Sequence, residues 1–79
     1  MKTTRYFDFR RQAPDRAGIR DEWIERVLVA AEHSAVQADG RIRVWGRIAE
    51  AGGKWLRVVV LADRQTVHNA FFDRDFTGE

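Results

Sequence analysis

The chain has no cysteine, one proline, one tyrosine and two histidines among its 79 residues. Without cysteine it can form neither disulfides nor thiolate metal sites. Burial and hydrogen bonding must therefore hold it together, with help from a partner or a second copy. The same absence is compatible with a reducing cytoplasm. No apolar run reaches the roughly 18 residues that a membrane span needs, and the first residues lack the apolar core of a secretory leader. The expectation is a soluble cytoplasmic protein with no membrane partner. Repeats, linkers and low-complexity tracts are missing too, which leaves a single domain over residues 1–79 with one small core. Lysine is also scarce: arginine outnumbers it twelve to two. That bias fits a GC-rich genome as well as it fits phosphate recognition.

The net charge is only +2, so bulk charge says little about a nucleic-acid partner. Its distribution says more. Between Arg41 and Arg57 stand four arginines and one lysine against a single acid, Glu50. The segment that reads as a helix carries Asp21, Glu22, Glu25 and Glu32 instead. Separating charge onto different elements predicts one basic face rather than a basic protein.

Periodicity predicts an α+β domain: a short N-terminal strand, then one main helix packed on an antiparallel meander. Thr4–Phe9 alternates as a strand would. Pro14 and Asp15 suit the first positions of a single helical turn, and Gly18 breaks the pattern. From about Arg20 to Glu32, the residues Trp23, Ile24, Val27, Leu28 and Ala31 form one apolar stripe. Four strands follow: Ser34–Ala38, Arg41–Ile48, Trp55–Ala62 and Thr66–Phe72. Asp39-Gly40 is a tight-turn signal between the first two. The tail from Asp73 to Glu79 is polar except for Phe76, and it either frays or docks through that ring.

Strand parity then sorts the chemistry. Ile42, Val44 and Ile48 point one way, and Arg41, Arg43, Trp45 and Arg47 the other. Sequential pairing adds Trp55, Arg57, Thr66 and His68 to the arginine side. Cations, indoles and an imidazole on one sheet face suit single-stranded RNA. Cleavage through the 2′-hydroxyl needs a proton acceptor, cations for the phosphorane charge and a proton for the leaving oxygen. His68 has an unperturbed pKa near neutrality and is the candidate for proton transfer, with Arg43, Arg47 or Arg57 holding the phosphate. A hydrogen-bonded strand histidine is the plainer alternative. His33 reads as a local helix-end cap. Trp45 and Trp55 serve either as base-stacking platforms or as a satellite core with Val59, Leu61 and Phe72, where a homodimer contact would also form. In Asp73-Arg74-Asp75 a carboxylate beside an arginine is either a second proton-transfer group or an ion pair. Two distant histidines without a carboxylate cluster do not make a metal site, and no cofactor motif is present.

Several of these segments together resemble a known group. Gly18-Ile19 opening an acidic helix, Asp39-Gly40-Arg41, Trp45-Gly46-Arg47, Trp55-Leu56-Arg57-Val58-Val59 and the ending Val67-His68-Asn69-Ala70-Phe71-Phe72-Asp73-Arg74 resemble small bacterial proteins related to the RelE/ParE-like and BrnT-like toxins of toxin–antitoxin pairs. The resemblance implies a RelE-like helix-plus-sheet fold, a cognate antitoxin, and metal-independent RNA cleavage. It implies a catalytic surface of arginine, lysine and aromatic residues, with Arg43, Arg47, Arg57 and Arg74 in such roles. The chain departs from that pattern in having no lysine in its late strands and no tyrosine near its C-terminus. In a nuclease reading, His68 must supply what those residues do elsewhere. ParE-like members act on gyrase, so the fold alone does not set the target.

Overall fold

The apolar stripe after Gly18 folds as expected, but over a shorter span. The computed structural model, which describes residues 1–78, places helix α2 at Asp21–Val29. Asp21 and Glu22 lie in its first turn, where the helix dipole favours negative charge. Ile24 and Val27 are buried, and Trp23 and Leu28 pack against the same core. The helix stops at Val29 because the sheet claims the chain beyond it. The Glu32 N–H donates to the Trp45 carbonyl at 2.8 Å, and His33 opens the first strand instead of capping the helix. Ala31 is consequently exposed and leaves the stripe.

Four strands follow: β1 (His33–Val36), β2 (Ile42–Ile48), β3 (Lys54–Val60) and β4 (Val67–Phe72). They form one antiparallel meander in the order β1-β2-β3-β4, so the α+β class with a meander sheet is realised. Asp39 shapes the first hairpin by accepting from the Arg41 N–H at 3.0 Å, and Gly40 takes φ +89°. Asp63 does similar work between β3 and β4. Its carboxylate accepts from the Gln65 and Thr66 N–H groups and from the Thr66 hydroxyl, which holds its pKa down at about 2. Ile48, Leu56, Val58 and Val67 are fully buried against α2 and its surroundings. Burying side chains of this size contributes roughly 1.5–3 kcal/mol each. Gly46 permits the close approach: a Cβ there would stand 3.0 Å from Val27 Cγ2.

The N-terminal strand is not found. Arg5–Arg10 is a second helix, α1. Thr4 caps it, its Oγ1 accepting from the Phe7 N–H at 3.1 Å, and Asp8 lies in the first turn. A capping threonine with an acid in the first turn overrides the two-residue alternation of the aromatics. Only Phe7 is buried from this helix. What remains of the expected strand is a parallel bridge of Thr3 to Val67, held by the Thr4 N–H on the Val67 carbonyl and the Val67 N–H on the Lys2 carbonyl.

A β-bulge is the second departure. The β3–β4 register shifts between Val59 and Val60: Val60 pairs with Val67, but Val59 pairs with Asn69. His68 is the extra residue, and every side chain after it changes face. Ala70 and Phe72 therefore join the α2 side, where Phe72 meets Trp23 at 6.2 Å between ring centroids. The apolar patch expected from Val59, Leu61 and Phe72 on the opposite face does not form.

Candidate functional site

Cross-strand register fixes the composition of the sheet face that points away from α2. Arg43 stands beside Val59, which stands beside Asn69. Trp45, Arg57 and Phe71 form the next row, and Arg47 and Trp55 the one after. His33 on β1 adjoins Trp45. Parity thus gathers Arg43, Trp45, Arg47, Trp55 and Arg57 as expected, and the bulge adds Asn69 and Phe71.

One half of this face is covered by the tail. The Phe76 ring lies parallel to Trp45 at 4.5 Å and 7°, and meets Trp55 at 5.0 Å and His33 at 5.3 Å, both edge-on. Trp45 is 7 % exposed, and its Nε1–H donates to Asp73 Oδ2 at 3.0 Å. Arg47 remains exposed, with its guanidinium over Trp55. Trp45 is therefore no open stacking platform, because the chain's own phenyl ring already occupies it. Phe76 docks rather than frays; Glu79, the last residue of that tail, lies outside the described residues.

The other half is open. Tyr6, Gln37, Arg41, Arg57, Val59, His68, Asn69 and Phe71 line a depression of about 400 Å³. Arg57 is one of its lining residues. The guanidinium lies 5.0 Å from the Phe71 ring centroid and 5.8 Å from that of Trp45, and its Nη1 is 3.6 Å from Asp73 Oδ2. Its Nε is buried without a hydrogen-bond partner among the described residues. A buried guanidinium donor left unpaired is costly; with Nε closed to solvent, an oxyanion in the depression would reach Arg57 through the part of its side chain that stays exposed. Arg41 pairs with Asp39 at 3.6 Å, and Arg43 donates from Nε to Gln37 at 3.0 Å. Next to them, Arg16 donates to Asn69 Oδ1 at 2.7 Å and sits 5.0 Å from the same Phe71 ring.

His68 stands at the rim of this depression. Its ring stacks on Tyr6 at 4.8 Å and 20°, and Nδ1 is 3.1 Å from Thr4 Oγ1. Burial, then the nearby Arg41 charge, push its pKa below the ordinary value, with Asp39 opposing. The balance favours the neutral ring. Thr4 Oγ1 already accepts from the Phe7 N–H. If it accepts from Nδ1–H as well, Nε2 keeps its lone pair and can take a proton; if it donates to Nδ1, Nε2 carries the hydrogen and only donates.

The structure thus brings His68, Arg57 and Arg41 together, with Asp73 reaching Arg57 from the covered half. Arg74 is exposed and lines a separate cleft of about 720 Å³ with Arg16, Lys54 and Trp55. Asn69, Phe71, Gln37 and Tyr6 escape a reading by strict alternation. Asn69 and Phe71 were hidden by the bulge, and Tyr6 by the mistaken strand. Among the described residues no group of three histidine or carboxylate side chains is placed to hold a metal ion, and no helix is long and apolar enough to cross a membrane. Compared with known proteins, the chain matches no family model, no curated protein and no solved structure.

Proposed function

We propose that this protein is a toxin-type, metal-independent endoribonuclease of a toxin–antitoxin pair, RelE-like in its layout, that acts on single-stranded RNA across the depression between His68 and Arg57. The observation that carries the reading is the placement of His68 in one open concavity with Arg57, whose Nε has no hydrogen-bond partner among the described residues. A phosphodiester laid there takes its hydrogen bonds from Arg57 and Arg41. His68 Nε2 removes the 2′-hydroxyl proton, and the 2′-oxygen attacks phosphorus. The 5′-oxygen leaves and is protonated from the solvent side, giving a 2′,3′-cyclic phosphate and a 5′-hydroxyl end. Tyr6, stacked on the ring and half exposed, offers a plane to a neighbouring base. Phe9, Val29 and Val36 are exposed one each on α1, α2 and β1, separate apolar contacts for an antitoxin or a second copy rather than one patch.

The Thr4 contact favours a second reading, a non-catalytic RNA-binding module. If the hydroxyl donates to Nδ1, His68 presents only an N–H to the phosphate. Mutants separate the two. Replacing Arg57 by alanine should weaken RNA binding and flatten its salt dependence by about one counterion. His68→Ala should abolish cleavage and leave affinity nearly intact, because proton transfer matters in the transition state. Cleavage surviving His68→Ala would remove the histidine from the mechanism, and no RNA affinity at low salt would reject both readings.

A further inference from the structure

The covered half of the sheet face has an unusual occupant. Phe76 does more than fill space against Trp45: it lies parallel, at 4.5 Å and 7°, with Trp55 and His33 set edge-on as two walls. A nucleobase stacked on an indole adopts this arrangement. Three residues earlier, the Asp73 carboxylate accepts from Trp45 Nε1 at 3.0 Å and stands 3.6 Å from Arg57 Nη1. An anion beside an arginine and a ring on a tryptophan are the two contacts a nucleotide would make here.

We propose that residues 73–76 are an intramolecular nucleotide mimic, covering a base-binding box of Trp45, Trp55 and His33 that takes an unstacked nucleotide of single-stranded RNA when the tail lifts. This rests on the RNA reading above but names a second subsite, beside the His68 depression. The surroundings suit the incoming chain. Arg47 lies over Trp55 at 4.9 Å, and the cleft of about 720 Å³ that begins at Trp55 and Phe76 also carries Arg16, Lys54 and Arg74. An RNA strand leaving the box along this cleft meets three cations and one acid outside the tail, Asp15, which stands 3.4 Å from Arg16. The tail that it displaces brings Asp73 and Asp75 instead. The anchorage of the tail is short: the Asp73 N–H donates to the Trp55 carbonyl at 2.9 Å, and beyond Asp75 the described contacts are those of the Phe76 ring and the approach of Gly78 to Trp55. Base and phenyl ring therefore compete for one seat, and the base brings phosphates that the rim attracts.

The test uses hexa-adenylate at low salt with the wild-type chain, Phe76→Ala and Phe76→Tyr, binding being read by tryptophan fluorescence. Phe76→Ala should bind about tenfold more tightly than wild type, the order of gain that one stacked base gives. Phe76→Tyr, which keeps the ring, should match wild type. A folded Phe76→Ala with unchanged or weaker affinity overturns the mimic. Should that variant lose its cooperative melt, NMR of the wild-type chain decides. Saturating RNA should release the Phe76 ring protons from the upfield shift imposed by Trp45, and a retained shift overturns the proposal. Wild-type binding with Phe76 undisturbed rejects the mimic and leaves the RNA function standing. Binding by Phe76→Ala alone supports the mimic, and binding by none of the three chains rejects both.

Discussion

The two faces of the sheet are built from the same strands but obey different rules. Toward α2, Ile48, Leu56, Val58, Val60 and Val67 are all 0–1 % exposed, and burial of apolar area is sufficient reason for their places. Away from α2 the cover is a loop-like tail and part of α1, and the side chains are arginines, indoles and amides that burial alone would not select. They are held by specific partners instead: Trp45 by Asp73, Arg43 by Gln37, Arg16 by Asn69. The first face sets the stability of the fold. The second leaves one donor, the buried Arg57 Nε, without a hydrogen-bond partner among the described residues, whereas Arg16 Nε lies 3.4 Å from Asp15; an unpaired polar group of that kind calls for an explanation that burial does not give.

The sharpest way to break the comparison is to truncate the apolar face. Leu56→Ala should cost ~2–5 kcal/mol, a large share of the stability of a small domain. Urea unfolding measures it directly. A loss below about 1 kcal/mol would mean that the α2 face is not the main source of stability. On the other face, Asp73→Ala should cost less, about 1–3 kcal/mol, because it leaves the buried Trp45 N–H unpaired and strips Arg57 of its neighbouring anion. The same variant should raise affinity for RNA while lowering the melting temperature. Stability and binding moving together would contradict the division between the faces.

How far the sequence reveals each face follows from the same division. The α2 stripe and the β2 and β3 alternation are repetitive signals, so Ile24, Val27, Ile42, Ile48 and Val58 are legible from spacing alone. Arg43, Trp45, Arg47, Trp55 and Arg57 are legible as their complement. The failures sit where a single local interaction decides. Thr4 as a cap turns an alternating Thr4–Phe9 into a helix. One extra residue at His68 exchanges Asn69 and Phe71 for Ala70 and Phe72, because a one-residue slip inverts a strand. Neither event leaves a periodic trace. The seating of Phe76 on Trp45 depends on a tail of six described residues with no periodicity, so sequence offers only the isolated ring as a hint.

The smallest expected effect concerns His68 and tests whether the open face holds a neutral imidazole. Its folded pKa is lowered by burial and by Arg41, so the unfolded chain binds the proton more readily. The resulting stability is fully present above the ordinary histidine value of 6.5 and is lost as pH falls through the lower folded value. Two carboxylates titrate in a separate window. Asp63 and Glu50 are held at about 2, and their contributions fade only as pH drops from the ordinary carboxylate range toward that value. Between pH 7.5 and 5.5, then, the melting temperature of the wild type should fall relative to that of His68→Gln. A wild-type advantage that grows on acidification would mean that the fold prefers the imidazolium. His68 would then be a fixed cation beside Arg41 and Arg57, suited to holding phosphate and unable to accept the 2′-hydroxyl proton.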